Sequence, residues 1–297
     1  MNTRDHLLKL VSVLIFGLVF KQYVAPYLVS DERYLISKFL YNETYSDGKP
    51  YLWMLVPLDE NSRGWESFNE RKNCKLNIPF VELCMRSIVR KNKNLFNVCV
   101  VTDDDLVDII PNWNYKMSEL SSPVKERVRR LAQLKLLYYY GGLVVPPSFL
   151  CSKPLRSLYA RSEASPFHVY CSSRDSIICS KKRNYELSQH MQNMEVYVKD
   201  MSNETDFLQI VKDSASKYMC ELDNKEFGLK TKDGEKIHIS ELLGQSKIKF
   251  TDLIYGIYFP YKEILQSTKW GWFAKLTEAE LNEDSLYISK FFREFEL

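Results

Sequence analysis

Three short stretches group polar side chains whose types and spacing suit site chemistry. Asp103-Asp104-Asp105 follows directly on the apolar run Phe96–Val101 and Thr102. Adjacent carboxylates can hold a ribose hydroxyl or a divalent cation that prefers hard oxygen ligands. The same triplet can instead cap the next helix, Leu106–Ile110, at its positive end. Asn61, Ser62, Arg63, Trp65 and Arg71 lie close together in the segment 58–71. Arginine offers phosphate a forked donor and tryptophan offers a stacking face, which together suit a nucleotide; as residue types alone they also make an ordinary capped surface loop. Glu126, Arg130 and Gln133 recur at i, i+4 and i+7 on one helical face. Glu126 and Arg130 there are either part of a site or a solvated ion pair worth about 0.3 kcal/mol. Lys269-Trp270-Gly271-Trp272-Phe273 supplies aromatic platforms near the C-terminus, or simply core.

Several function classes drop out on composition. The net charge of +3, from 41 basic and 38 acidic residues, is too balanced for a protein held mainly to nucleic-acid phosphates. No GxGxxG and no GxxxxGK[ST] occurs, and 10 glycines in 297 residues leave little for a glycine-rich phosphate cradle. The seven cysteines (74, 84, 99, 151, 171, 179 and 220) form no CxxC, and histidines 6, 168, 190 and 238 are far apart. A zinc site of the usual ligand spacing is not supported. These cysteines read mainly as small apolar residues inside strands and helices.

The elements that must position these residues alternate in type. Tyr51–Pro57 is a buried-strand run and Phe96–Val101 a second. Between them Pro79–Arg90 reads as a helix, with Val81, Cys84, Met85 and Ile88 at helical spacing. Ser122 with Pro123 reads as an N-cap and first helical position, and this helix runs to Tyr140 before Gly141-Gly142 stops it. Leu143–Val145 is a third, short strand. Strand, helix, strand, helix, strand at this spacing predicts a parallel α/β sheet. Further helices are expected at 183–198, 205–219 and 260–267. In such a sheet ligands bind beyond the carboxyl ends of the strands, where residues 58–71, 102–105 and 146–148 fall.

The N-terminus differs from the rest. Arg4 and Lys9 precede the uncharged run Leu10–Phe20, followed by Lys21 and a second apolar stretch to Val29. The uncharged run is signal-peptide length and short of the roughly 20 residues that span a bilayer. With Lys9 and Lys21 snorkelling, 7–29 can still span. No clean small-x-small cleavage site follows, so 1–29 is expected to be a cytosolic tail and uncleaved signal anchor. Residues 30–48 are expected as a stalk or linker, and 49–297 as the globular domain.

The run Leu131-Ala132-Gln133-Leu134-Lys135-Leu136-Leu137-Tyr138-Tyr139-Tyr140-Gly141-Gly142-Leu143-Val144-Val145 resembles the core of the DXD-containing sugar transferases of GT-A fold. In that family an Asp and an Arg three residues apart lie on the helix, followed by Leu-Tyr-x-Tyr-Gly-Gly, a short strand and Asp-x-Asp. The likeness covers residues 96–160 most specifically and 51–95 loosely. The chain is also similar to glycosyltransferase-like proteins of large DNA viruses, through Asn61-Ser62-Arg63-x-Trp65, Ser148-Phe149-Leu150-Cys151 and Tyr255-Gly256-Ile257-Tyr258.

The resemblance implies an α/β, GT-A-like, Rossmann-type sheet, mostly parallel and flanked by helices behind a membrane-anchor helix. It implies a nucleotide-sugar donor, a glycan or glycoprotein acceptor, and a single-pass type II membrane protein with a lumenal or virus-associated domain. Aligned on Gly141-Gly142, Pro146 and Ser148 stand where Asp-x-Asp belongs, and Arg130 and Gln133 where the helix Asp and Arg belong. Proline has no side-chain oxygen to offer Mn²⁺ or Mg²⁺. The donor would then meet Asn61, Arg63, Asp103, Asp104, Asp105, Arg130, Gln133 and Ser148, with Arg130 on the diphosphate. Trp270 and Trp272 would face the acceptor. An inactive scaffold of the same fold, binding a glycan or a partner protein, is the alternative.

Overall fold

A computed structural model describes residues 32–41, 45–58, 76–164, 167–170, 177–200, 224–283 and 286–296. The expected anchor helix 7–29, the segment around Asn61 and Arg63, and the expected helix 205–219 lie outside the described residues. Among the described residues no helix is long and apolar enough to cross a membrane.

A five-stranded sheet organises the chain. Its order is β2 (Asn97–Thr102), β1 (Tyr51–Val56), β3 (Gly142–Val144), β6 (Ile177–Ser180) and β5 (Phe167–Tyr170). The strand β1 pairs in parallel with both β2 and β3, Trp53 lying opposite Cys99 on one side and Val144 on the other. This is the parallel trio expected from the alternating elements. Beyond it β6 runs antiparallel to β3, and β5 antiparallel to β6, so only β6 is reversed.

The central position of β1 explains its unbroken apolar sequence, since both faces are covered. Tyr51, Trp53 and Leu55 point into one core, while Leu52 and Met54 point into another. The first is roofed by helix α3 (Ser122–Tyr140), which presents Val128, Leu131 and Leu134. Helix α5 (Tyr185–Asp200) packs against α3 through Leu187, Met191 and Met194. Buried Trp53 satisfies its indole N–H by donating to the carbonyl of Gly141, 2.9 Å away. Helix α3 is as predicted except at its start, where Ser121 is the cap residue, Ser122 already helical, and neither serine side chain caps.

The opposite face carries helix α1 (Pro79–Asn92) and a two-stranded ribbon of β4 (Phe149–Cys151) and β7 (Gly256–Tyr258). Buried polar groups of α1 seat this ribbon: Ser87 Oγ accepts from the Cys151 N–H, and Asn92 Oδ1 from the Leu155 N–H, each at 2.8 Å. A third core, with Phe80, Phe259, Phe273 and Phe292, closes the C-terminal end. Around it stand helices α7 (Tyr261–Gln266), α8 (Glu278–Asn282) and α9 (Ser289–Glu296). Further helices are α2 (Leu106–Ile109), α4 (Arg156–Ala164) and α6 (Ile239–Leu242). Cys84, Cys99, Cys151 and Cys179 are free, buried thiols in these cores.

The expected stalk over 30–48 is corrected in its described part. Ile36 is fully buried and Phe39 nearly so. Leu40 bridges antiparallel to Cys99, and the Tyr41 N–H donates to the Val98 carbonyl. The segment therefore covers the open edge of β2, whose backbone groups would otherwise need water or a partner. Asn97 ties down the following residues, accepting from the Ser46 N–H at 3.0 Å.

Candidate functional site

The carboxyl ends of β1, β2 and β3 lie at one edge of the sheet, where the α/β topology places ligands. The acidic triplet after β2 divides there into three different environments. Asp105 turns back to accept from the Thr102 N–H and hydroxyl, both at 2.7 Å. It is the residue that opens α2, yet its side chain caps the strand end and not the helix. Asp104 is exposed. Asp103 is drawn inward, where the Arg129 guanidinium grips it, Nε lying 3.0 and 3.2 Å from the two oxygens and Nη2 closer still.

Both members of this pair are sheltered, with side chains 13% and 7% exposed for Asp103 and Arg129. The network extends outward. Arg129 Nη1 reaches Glu126 at 3.3 Å, and Glu126 receives Lys262 from α7. Four alternating charges, Asp103, Arg129, Glu126 and Lys262, thus link β2, α3 and α7 at the carboxyl edge of the sheet. Charges removed from water are costly unless paired, and here each has an opposite partner.

The face Glu126, Arg130 and Gln133 that the spacing predicts is split by the packing. Glu126 turns to Arg129 and Lys262. Arg130, 7% exposed, donates to Gln133 Oε1 at 3.2 Å and lies close to His190 on α5. The cation that meets the acidic strand end is therefore Arg129, one residue earlier than the position singled out by alignment. Ser148 is fully buried and donates to the Phe259 carbonyl at 2.7 Å, locking β4 to the end of β7. Trp272 is 41% exposed and packs edge-on against Phe273. Trp270 is half-buried and lines a cavity beside α7.

These residues do not fit the metal that the resemblance implies. Pro146 has no ligand oxygen, and the Ser148 hydroxyl is enclosed and already committed. Asp103 is bound by Arg129 and Asp105 by Thr102. Among the described residues no group of three His, Cys, Asp or Glu side chains is placed to share a cation. What the edge offers instead is cationic side chains held by carboxylates, which can exchange a carboxylate for an incoming phosphate.

No family model matches this chain, and no curated protein matches it. Among solved structures the PaToxG glycosyltransferase superposes on it with a TM-score of 0.34 and 10% identity, over 71% of this chain and 82% of that one. A superposition this loose leaves the assignment to the site's own geometry.

His190 gives a pH test of the α3–α5 contact. Burial, and secondly the Arg130 guanidinium, push its pKa down to about 4. In the unfolded chain it titrates near its usual 6.5. Between those values the unfolded chain binds a proton that the folded chain refuses, so stability falls as pH falls through this window. The loss amounts to about 2 kcal/mol at pH 5 relative to neutral pH. Urea unfolding at both pH values should show it in the parent and lose most of it in His190→Gln. Equal pH dependence in the two would remove His190 as the cause.

Proposed function

We propose that this chain is a glycosyltransferase-like protein that binds a nucleotide-sugar donor at the carboxyl edge of β1–β3 and passes the sugar to a glycan or protein acceptor without a bound metal. The observation that carries this reading is the sheltered chain Asp103–Arg129–Glu126–Lys262, standing where an open α/β sheet receives its ligand. The GT-A resemblance of Leu131–Val145 supports it, because that run forms the end of the roofing helix and the strand β3, whose carboxyl end reaches this edge.

The chemistry follows from the charges. Breaking the bond between sugar and diphosphate leaves negative charge on the departing phosphate. Positively charged side chains can stabilise that charge where no Asp-x-Asp exists to hold a cation. In this proposal Lys262, half-buried and paired with Glu126, takes that role. Arg129 stays fixed on Asp103 as the anchor of the series. Asp104, exposed beside them, is available to a ribose hydroxyl.

A second reading, an inactive scaffold that binds a glycan or partner protein, is favoured by one feature of the same network: each of its carboxylates already has a cation. Titration calorimetry with a panel of nucleotide sugars, with and without Mn²⁺, separates the two. At least one donor should bind, with affinity unchanged by Mn²⁺. Lys262→Gln should weaken it roughly ten- to a hundredfold, the worth of a charge-assisted contact of about 1.5–3 kcal/mol. Absence of binding across the panel would leave the scaffold; Mn²⁺-dependent binding would overturn the metal-free chemistry.

A further inference from the structure

A cavity of about 710 Å³ lies on the C-terminal side of the molecule, away from the sheet edge in sequence but joined to it by α7. Its lining includes Lys230, Lys236, His238, Glu263, Lys269 and Trp270. Lys262, the neighbour of Glu263 on α7, is the residue paired with Glu126 at the sheet edge. Cavity and charged network therefore share one short helix.

The lysines are arranged in a way that folding alone does not favour. Lys230 and Lys236 sit directly opposite each other in an antiparallel bridge, with the ribbon held by Ile237 N–H to Leu229 O at 2.9 Å and Thr231 N–H to Glu235 O at 2.8 Å. Like charges directly opposite on a ribbon destabilise it. Lys269 adds a third ammonium, 4.5 Å from the centre of the Trp270 ring. Indole and ammonium thus form one surface with an apolar face and a positive charge. Glu263 sets a limit on the ligand: a carboxylate in the wall accepts from hydroxyl donors and repels a dense polyphosphate.

We propose that this cavity binds an anionic saccharide, whose carboxylate or sulfate meets Lys230, Lys236 and Lys269, whose hydroxyls meet Glu263, and whose C–H face lies on Trp270. It then serves as the acceptor pocket for the transfer proposed above; this role, unlike the binding itself, rests on that reading.

The test is titration of the full chain with three tetrasaccharides: tetragalacturonate, a sulfated galactan tetramer and neutral maltotetraose. At least one anionic sugar should bind, and at least about tenfold more tightly than maltotetraose, with affinity falling as salt rises. Whichever anion binds identifies the acidic group. Trp270→Ala, and the double variant Lys230→Gln with Lys236→Gln, should each weaken binding about tenfold or more. The double variant removes a like-charge pair from half-exposed and exposed positions, so it should fold at least as stably as the parent, which a thermal melt checks. Equal affinity for maltotetraose, failure of both anionic sugars, or indifference to the double variant would overturn the proposal. Displacement of the bound saccharide by a nucleoside monophosphate would overturn the saccharide assignment. Nucleotide-sugar titration of the same preparation keeps the two ideas apart. Anionic-saccharide binding with no nucleotide-sugar binding would keep the pocket and remove its acceptor role. The reverse would remove the pocket and leave the proposed function standing.

Discussion

Asp103→Ala should destabilise the fold by about 3–5 kcal/mol, the usual cost of removing one partner from a buried ion pair. The guanidinium of Arg129 is 7% exposed and makes its closest contacts to the two oxygens of Asp103. Without that carboxylate it keeps Glu126, itself 36% exposed and drawn toward Lys262, so a sheltered positive charge loses its main counter-charge. Replacing both partners with apolar residues, Asp103→Leu with Arg129→Met, should cost much less than the single change, because no unpaired charge is left behind. Asp104→Ala is the surface control and should stay within about 0.5 kcal/mol of the parent. Urea unfolding of the four proteins makes the comparison. If Asp103→Ala behaves like Asp104→Ala, the pair is not the sheltered anchor described here, and the proposed donor edge loses its fixed point.

The sheet trio and its roofing helix were legible because their signals are local. Tyr51–Val56 is apolar at every position, as a strand covered on both faces must be. Gly141-Gly142 ends the long helix where the chain must turn into β3. The stalk expected over 30–48 shows where local reading stops. Ile36 and Phe39 stand among interspersed polar and charged residues with no long apolar run, and what they cover, the edge of β2, is some sixty residues away in sequence. At the candidate site the residue types were legible and their partners were not. A helical wheel puts 126, 129, 130 and 133 close together, but only packing against α5 and α7 sends Arg130 toward His190 and Arg129 toward Asp103. Lys262 could not be assigned at all, since nothing local links it to Glu126. Ser148 illustrates the opposite difficulty. Alignment puts it at a strand end, while the ribbon β4–β7 encloses its hydroxyl against Phe259.

Gly142→Ala should be among the most damaging single substitutions in the chain, costing on the order of 4 kcal/mol or more. Two costs combine at this residue. Its φ of +108° is one that side chains rarely adopt, and a Cβ there would sit 2.2 Å from the Tyr51 carbonyl oxygen, 2.9 Å from its carbon and 3.2 Å from its Cα. These are backbone atoms of β1, the central strand, so no side chain can swing aside to make room. Relief would require β3 to move off β1, breaking the pairing that sets Leu143 opposite Leu52 and Val144 opposite Trp53. Gly48→Ala separates the two costs: its φ is +76° and nothing lies within 4 Å of an added Cβ, so only the conformational penalty of about 1–2 kcal/mol applies. Thermal and urea unfolding should therefore rank parent, Gly48→Ala and Gly142→Ala in that order, with the last gap the widest. Because β3 leads into the Pro146–Ser148 turn at the proposed donor edge, any Gly142→Ala protein that still folds should also bind the proposed donor more weakly. Equal stabilities for the two alanine variants would mean that β3 does not lie against β1 as closely as described, and that the edge they form together is differently shaped.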